Sequence, residues 1–187
     1  PDGAVERVGE VTMTTNVGSM TVTFRDAWSI ESGGRTLGWR MKADCDKVGM
    51  MRPMRIVTSG SEADELALYR LQTIGNQAVI NPIDGAQRTI DLPRDTATDA
   101  ALYRIVGLLP RKADRQWRVG HLWELSELNL KRGGVITCTG RDTISLAGEA
   151  VALWRYTYGH GDRIAAEFWV DADSPHLRQF KLDGRKV

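Results

Sequence analysis

Two carboxylates one residue apart, Asp171 and Asp173, raise the question of a metal site near the end of the chain. A hard cation such as Ca²⁺ takes six or more oxygen ligands, and the nearest further acidic residues are Asp162 and Asp183. A Ser-Pro pair follows directly, and Asp, Ser and Pro are residues that form turns. We therefore predict a turn between two strands here, and no metal site.

The three histidines, His121, His160 and His176, do not have the spacing of a zinc site. The chain has neither the G-x-S-x-G pattern of a nucleophilic serine nor the H-E-x-x-H pattern of a zinc peptidase. A hydrolase would need His160, Asp162 and Asp171 to converge at one end of a sheet. This hypothesis ranks last, no catalytic residue is predicted, and a non-enzymatic protein is favoured.

Sulfur side chains suggest two further kinds of chemistry. Cys45, Met50, Met51 and Met54 are soft donors of the kind that bind Cu(I), but methionines also fill gaps in a core, which we favour here. Cys45 and Cys138 both fall on the apolar side of expected strands. Buried free thiols and a cross-strand disulfide are both compatible with that pattern.

The composition is that of an ordinary globular protein, with 42% apolar and 26% charged residues. The 25 basic and 24 acidic residues are interspersed, which argues against nucleic-acid binding. No apolar stretch has the length of a transmembrane helix, and no glycine motif for a nucleotide cofactor occurs. The length of 187 residues predicts one domain, residues 1–187. The chain begins at Pro1, and we expect upstream residues to have been removed.

Strand periodicity dominates the first fifty residues. Apolar and polar side chains alternate in GSMTVTFRDAWSI and again in RTLGWRMKADCDK, and the short link ESGGR between them has hairpin length. One face holds Met20, Val22, Phe24, Trp28 and Ile30 in the first run and Leu37, Trp39, Met41, Ala43 and Cys45 in the second. The pattern predicts an antiparallel pair with one dry face and one wet face.

Short connections join the later runs, so we expect the antiparallel meander to continue. HLWELSELNLK is expected to pair with VITCTGRDTISL across Gly133 and Gly134, before EAVALWRYTYG, DRIAAEFWVDAD and HLRQFKL. AVINPIDGAQRTIDLP predicts a hairpin that turns at Asp84 and Gly85, and residues 66–73 are expected to form another strand.

One helix is predicted, over about residues 97–109. Its apolar stripe consists of Leu102, Ile105, Val106 and Leu109. Thr96 and Asp99 have the spacing of a capping box, and Pro110 ends the pattern. Together the elements predict an α+β fold of about nine or ten mainly antiparallel strands. We expect a strongly curled sheet, a half-barrel partly wrapped around the helix.

Four segments, TDAALYRIVGLLP, WRVGHLWELSELNLKRG, ISLAGEAVALWRYTYG and AAEFWVDADSPHLRQFKL, occur in an order that is similar to a known family. From Thr96 to Leu182 the chain resembles the bacterial envelope proteins grouped as domain of unknown function 3108. More distantly it is similar to the curled-sheet lipoprotein carriers of the periplasm. The resemblance implies a curled antiparallel sheet and export to the periplasm or the outer membrane. It implies no catalytic residues.

These observations lead us to expect a non-enzymatic, exported envelope protein that binds or carries an apolar, lipid-like ligand in the concave face of its sheet. The residues predicted to touch the ligand are Trp28, Trp39, Phe24, Leu102 and Val106. The alternative is a structural or protein-interaction module of the cell envelope with a filled interior, which would dock through an edge strand or through CDKVGMMRPM.

Overall fold

The computed structural model describes residues 9–32, 35–47, 50–60, 68–125, 127–146 and 148–182, which contain fifteen strands and one helix. The strands are β1 Gly9–Val17, β2 Thr21–Ser32, β3 Arg35–Asp46, β4 Pro53–Gly60, β5 Tyr69–Ile74, β6 Gln77–Pro82, β7 Arg88–Asp91, β8 Thr96–Thr98, β9 Gln116–Arg118, β10 His121–Glu124, β11 Asn129–Arg132, β12 Val135–Leu146, β13 Glu149–His160, β14 Arg163–Val170 and β15 Leu177–Leu182. The helix, α1, is Asp99–Leu108.

The chain divides into two compact units. The described residues before Asp95 form the first unit, except that Met50 and Met51 group with the second, which continues from Asp95 onward. The first unit is one seven-stranded sheet with the strands in chain order, β1 to β7, each antiparallel to the next. This part of the chain is the predicted meander, and the hairpins β2–β3 and β6–β7 are confirmed.

The two faces of the seven-stranded sheet differ as the alternation predicts. Phe24, Ala43 and Ile56 lie beside one another on β2, β3 and β4 and are each 0% exposed. Their neighbours in sequence, such as Arg25 and Lys42, are exposed on the opposite face. Because side chains alternate along a strand, the pairing register alone decides which set is buried.

The second unit contains a three-stranded sheet in the order β11-β10-β8 and a five-stranded sheet in the order β15-β14-β13-β12-β9. The helix packs on the five-stranded sheet through Tyr103. The ring of Tyr103 lies 5.9 Å from that of Phe168 on β14 and 4.9 Å from that of Phe180 on β15. Such aromatic contacts contribute beyond the burial of their area.

The predicted helix exists, but it begins later than expected. Thr98, not Thr96, is the N-cap residue, and its Oγ1 accepts a hydrogen bond of 2.9 Å from the backbone N–H of Ala101. Thr96 lies instead in β8, which pairs in parallel with β10 opposite His121. A three-residue parallel strand has no local signature, so the threonine spacing alone suggested the wrong cap.

Gly133 and Gly134 do not form the expected hairpin between β10–β11 and β12. Strand β10 pairs with β11, and β12 pairs with β9 and β13. A Cβ on Gly133 would lie 2.2 Å from the carbonyl oxygen of Val119, and one on Gly134 would lie 2.2 Å from that of Gly159. Only glycine fits at these two positions, because neighbouring backbone approaches each of them closely. In the sequence, a Gly-Gly pair of this kind cannot be told from the pair that forms a hairpin turn.

The prediction of one strongly curled half-barrel around the helix is wrong, although a mainly antiparallel fold with a single helix is confirmed for the described residues. The described residues form fifteen strands rather than nine or ten, in three sheets that are neither closed nor strongly curled. Four short strands, β8 to β11, divide the meander after the first unit. Runs of three or four residues are too short to show a period of two.

The steric role of Gly133 is testable by substitution. We expect Gly133→Ala to lower the free energy of unfolding by at least about 3 kcal/mol, because the backbone of Val119 cannot move aside. Gly75→Ala is the control. Gly75 has a φ of 61° and open space around the position of a Cβ, so this change should cost only about 1–2 kcal/mol. Urea denaturation measures the free energy of unfolding of both variants. Equal decreases would contradict the close approach of the Val119 backbone to Gly133.

Candidate functional site

Trp28 and Trp39 face each other across the β2–β3 ladder, where they are register partners. Their ring centroids are 6.4 Å apart and the rings are inclined by 61°, an edge-to-face arrangement. Both side chains are only partly buried, whereas Phe24 and Met41 on the same sheet face are fully buried. The tryptophan pair is thus the partly open end of the apolar face.

A cavity of about 560 Å³ lies beside this pair. Its lining is formed by Thr12, Ala27, Trp28, Ser29, Gly38, Trp39, Arg40, Ser59 and Gly60. We call it the tryptophan groove. Gly60 pairs with Trp39, and a Cβ on Gly60 would lie 2.9 Å from the carbonyl oxygen of Gly38. Small residues on three neighbouring strands therefore leave the room that larger side chains would occupy.

Both indole N–H groups of this pair lack an acceptor. The Nε1 atoms of Trp28 and Trp39 are buried and make no hydrogen bond. A buried donor without a partner costs about 1–3 kcal/mol. The two buried donors therefore lower the stability of the first unit.

A second cavity, of about 360 Å³, adjoins the tryptophan groove and shares Thr12, Ala27, Arg40 and Ser59 with it. We call it the basic cavity. The further lining residues are Thr14, Arg25, Asp26, Met41, Lys42 and Val57. The two cavities together form a trough on the first four strands. Its three cationic side chains, Arg25, Arg40 and Lys42, are on the exposed sheet face, opposite to the face that carries the rings of Trp28 and Trp39.

Only two of the five predicted ligand contacts line this trough. Trp28 and Trp39 do so, whereas Phe24 is 0% exposed in the core of the first unit. Leu102 and Val106 are 5% and 0% exposed on α1, in the second unit. Ligand contact by these three buried residues stays a prediction.

Asp26 was missed, although the sequence contains its signal. It occupies a position on the apolar face of β2 between Phe24 and Trp28, and it is 3% exposed. A carboxylate at a position where the alternation predicts an apolar residue is a break in the pattern. A buried carboxylate requires hydrogen bonds or an opposite charge nearby. Asp26 pairs with Met41 on the buried face, whereas Arg25 and Lys42 on either side of this pair are on the opposite, exposed face.

The residues of the hydrolase hypothesis do not converge. His160 pairs with Arg163 at one end of β14, and Asp171 follows the other end of the same strand. The eight intervening residues of strand correspond to about 27 Å. Because a catalytic set must meet within hydrogen-bonding distance, this arrangement does not assemble one.

The paired carboxylates near the C-terminus form a turn, as predicted. Asp171 accepts hydrogen bonds from Ser174 Oγ at 2.8 Å and from Arg178 Nε at 2.7 Å. The bond from Arg178 is the main reason that the pKa of Asp171 lies below its ordinary value. These contacts connect the end of β14 to β15, so Asp171 has a structural role here.

The sulfur residues are dispersed. Cys45 and Cys138 are both free and buried, in the first and the second unit respectively. Met51 is buried while Met54 is 44% exposed. Within the described ranges, no group of three or more His, Cys, Asp or Glu side chains is arranged to hold a metal ion.

One partly buried carboxyl in the second unit has a strongly shifted pKa. Asp99 begins α1 and accepts hydrogen bonds from the backbone N–H groups of Ala100 at 2.7 Å and Leu125 at 3.2 Å. Burial nevertheless raises the pKa of Asp99 to about 6, and the nearby Glu124 acts in the same direction. This group affects stability and does not line the trough.

The comparisons with known proteins show the fold and no family. Neither the protein-family models nor the curated proteins give a match, so the resemblance to domain of unknown function 3108 stays a prediction. Among solved structures, the chain is similar to a β-barrel-like protein of the domain of unknown function DUF1849 from Brucella abortus. The TM-score is 0.55 at 11% identity, over 94% of this chain and 81% of that one.

Within the described part of the chain, no helix is both long enough and apolar enough to cross a membrane.

The shift at Asp99 gives a testable pH dependence. The carboxyl titrates at 3.8 ordinarily and at about 6 in the folded protein, so the folded state holds the proton more tightly. The resulting stabilisation is complete below pH 3.8 and is lost as the pH rises through 6, by at most about 3 kcal/mol.

Urea denaturation of the natural protein and of Asp99→Asn at pH 4, 5.5 and 7 measures this effect. The substitution removes an acceptor at every pH, but only the natural protein should lose stability through this group as the pH rises. If the difference in the free energy of unfolding between the two proteins did not change with pH, the raised pKa of Asp99 would be contradicted.

Proposed function

We propose that this protein binds an apolar, lipid-like molecule and that the tryptophan groove holds it. The observation that carries the proposal is the edge-to-face pair of Trp28 and Trp39, which is partly buried at the open end of the apolar sheet face and whose strands line a cavity of about 560 Å³. Pockets of about 300–1,000 Å³ lined by aromatic side chains are typical of small-molecule sites.

Hydrophobic burial supplies the binding energy in this account. Each methylene group that a guest removes from water contributes about 0.8 kcal/mol. The two partly buried indole rings present broad apolar surfaces. Phe24 and the buried residues around it would then support the tryptophans from the core side.

The groove supports binding better than catalysis. Arg40 is its one titratable lining residue in the described part of the chain, and a guanidinium does not lose its proton in proteins. The lining hydroxyls belong to Thr12, Ser29 and Ser59, with no histidine or carboxylate of the lining to activate them. We therefore propose a carrier or binding protein and retain export to the cell envelope as part of the proposal.

The second candidate is a protein-interaction module, and the observation that favours it lies on β1. This strand is at the end of the seven-stranded order and carries the exposed side chains Met13, 38%, and Val17, 50%. An apolar edge strand can pair with a strand of another protein. Binding of that kind would not use the tryptophan groove.

A substitution that fills the groove separates these candidates. Ala27 is exposed and lines both cavities, so Ala27→Phe should occupy the guest's space without disturbing the core. We expect decanol to bind at least about tenfold more weakly to this variant, as measured by tryptophan fluorescence. Thermal stability should not change, because aromatic residues suit exposed strand positions.

Ala152→Phe is the matched control, since Ala152 is an exposed alanine on β13 in the second unit. It should bind decanol as the natural protein does. Unchanged decanol affinity in Ala27→Phe, or equal losses in both variants, would contradict the groove as the binding site.

A further inference from the structure

We infer that the basic cavity is a second binding site, on the exposed face of the seven-stranded sheet, for a small molecule with two or more acidic groups. Arg25, Arg40 and Lys42 would hold its phosphate or carboxylate groups. The rings of Trp28 and Trp39 are on the opposite face, so this inference goes beyond the proposed function and does not depend on it.

Strand pairing brings the three cations together. Arg25 on β2 is directly opposite Lys42 on β3. Arg40 is two residues from Lys42 on the same strand, so it lies on the same face about 7 Å away. All three side chains are exposed, whereas their neighbours Phe24 and Met41 are buried. The register of one ladder therefore places three positive charges side by side.

The same face carries further positive charge on β4 and β5. Val57 is opposite Lys42 on one side and Arg70 on the other, so Arg70 lies two strands and about 10 Å from Lys42. Arg55 lies opposite Asp44 on this face, and both arginines are exposed. The chain as a whole has a net charge of only +1, so the excess of positive charge is local and attracts anions to this face.

Little in the described part of the chain neutralises the three cations of the cavity. Lys42 Nζ is 3.7 Å from Asp44 Oδ2, and the other oxygen of Asp44 accepts a hydrogen bond of 2.8 Å from Thr23 Oγ1. Among the described residues, Arg25 and Arg40 take part in no ion pair. Two guanidinium groups are therefore left for an anion from outside the protein.

The basic cavity gives these side chains a concave site. Its volume of about 360 Å³ lies in the range of small-molecule sites. The lining residues belong to the exposed face except for Asp26 and Met41, which alternation assigns to the buried face, where Asp26 is 3% exposed. Within the described residues, the lining thus has no acidic side chain on the face of the cations.

The chemistry of the lining suits a molecule with more than one acidic group. Guanidinium groups bind phosphate and carboxylate oxygens through two parallel hydrogen bonds, and the hydroxyls of Thr12 and Ser59 are further donors. Like charges directly opposite each other destabilise a sheet, so Arg25 beside Lys42 is unfavourable until an anion binds there. One acidic group would neutralise this pair, and a second would reach Arg40.

The side chains of this face argue against single-stranded nucleic acid as the ligand. Proteins that bind single strands stack the bases on aromatic rings. Along the described parts of β1 to β7, the face that carries the cations has no Phe, Tyr or Trp. A small acidic molecule needs no such stacking surface.

Calorimetric titration of the full protein with matched acids tests the inference. Fructose 1,6-bisphosphate is compared with fructose 6-phosphate, and adipate with hexanoate, at about 0.15 M salt. We expect one diacid to bind at least about tenfold more tightly than its monoacid, because only the diacid reaches all three cations. The preferred diacid distinguishes phosphate from carboxylate. If neither diacid exceeds its monoacid, the inference is wrong.

Substitutions then locate the site. Arg25→Gln combined with Lys42→Gln should weaken the preferred diacid at least about tenfold, with no loss of thermal stability, because a like-charge pair is removed. The control is Arg55→Gln combined with Arg70→Gln, which removes two exposed charges from the same face outside the cavity lining. It should weaken binding less than about threefold, since salt screens charges beyond about 8 Å.

Two results would overturn the assignment of the cavity. Equal losses in the two double variants would mean that the whole face attracts anions through its net charge. Tighter binding of an oligothymidylate than of the preferred diacid would make a nucleic acid the ligand of this face. Decanol binding, which tests the proposed function, is measured separately and is not decided by either result.

Discussion

The register of the β2–β3 ladder is the constraint on which the rest of the first unit depends. Twelve residue pairs, from Thr21 with Asp46 to Ser32 with Arg35, fix which side chains face the core. A slip by one residue would move every side chain of one strand to the opposite face. Burial of Phe24 beside Ala43 stabilises this register, because the slipped alternative would expose apolar surface.

The same register creates two different surfaces on opposite faces of the sheet. It places Trp28 opposite Trp39 at the open end of the apolar face and Arg25 opposite Lys42 on the exposed face. The aromatic pair is favourable in its own right, whereas the cationic pair is not. A sheet that maintains an unfavourable pair beside a cavity has the features expected of a binding surface, where local stability is given up for recognition.

The sequence was informative where a pattern is local and long. Alternation over β2 and β3, the link between them and the apolar stripe of α1 were sufficient to predict these elements. The parallel pairing of β8 with β10 was not predictable, since three residues carry no period and their partner is distant in the chain. The groove was not predictable either, because it depends on small residues of different strands that lie side by side, among them Gly38 and Gly60. The buried Asp26 was visible as a break in the alternation and was overlooked.

The most direct test of a ligand at the tryptophan pair is a nitrogen-15 NMR spectrum of the indole N–H groups during titration with decanol. The chain has six tryptophans, and Trp→Phe variants assign each signal. We predict that the signals of Trp28 and Trp39 shift with saturation, while those of the four tryptophans in the second unit stay in place. Shifts confined to the second unit, or no shift at any indole, would contradict the account.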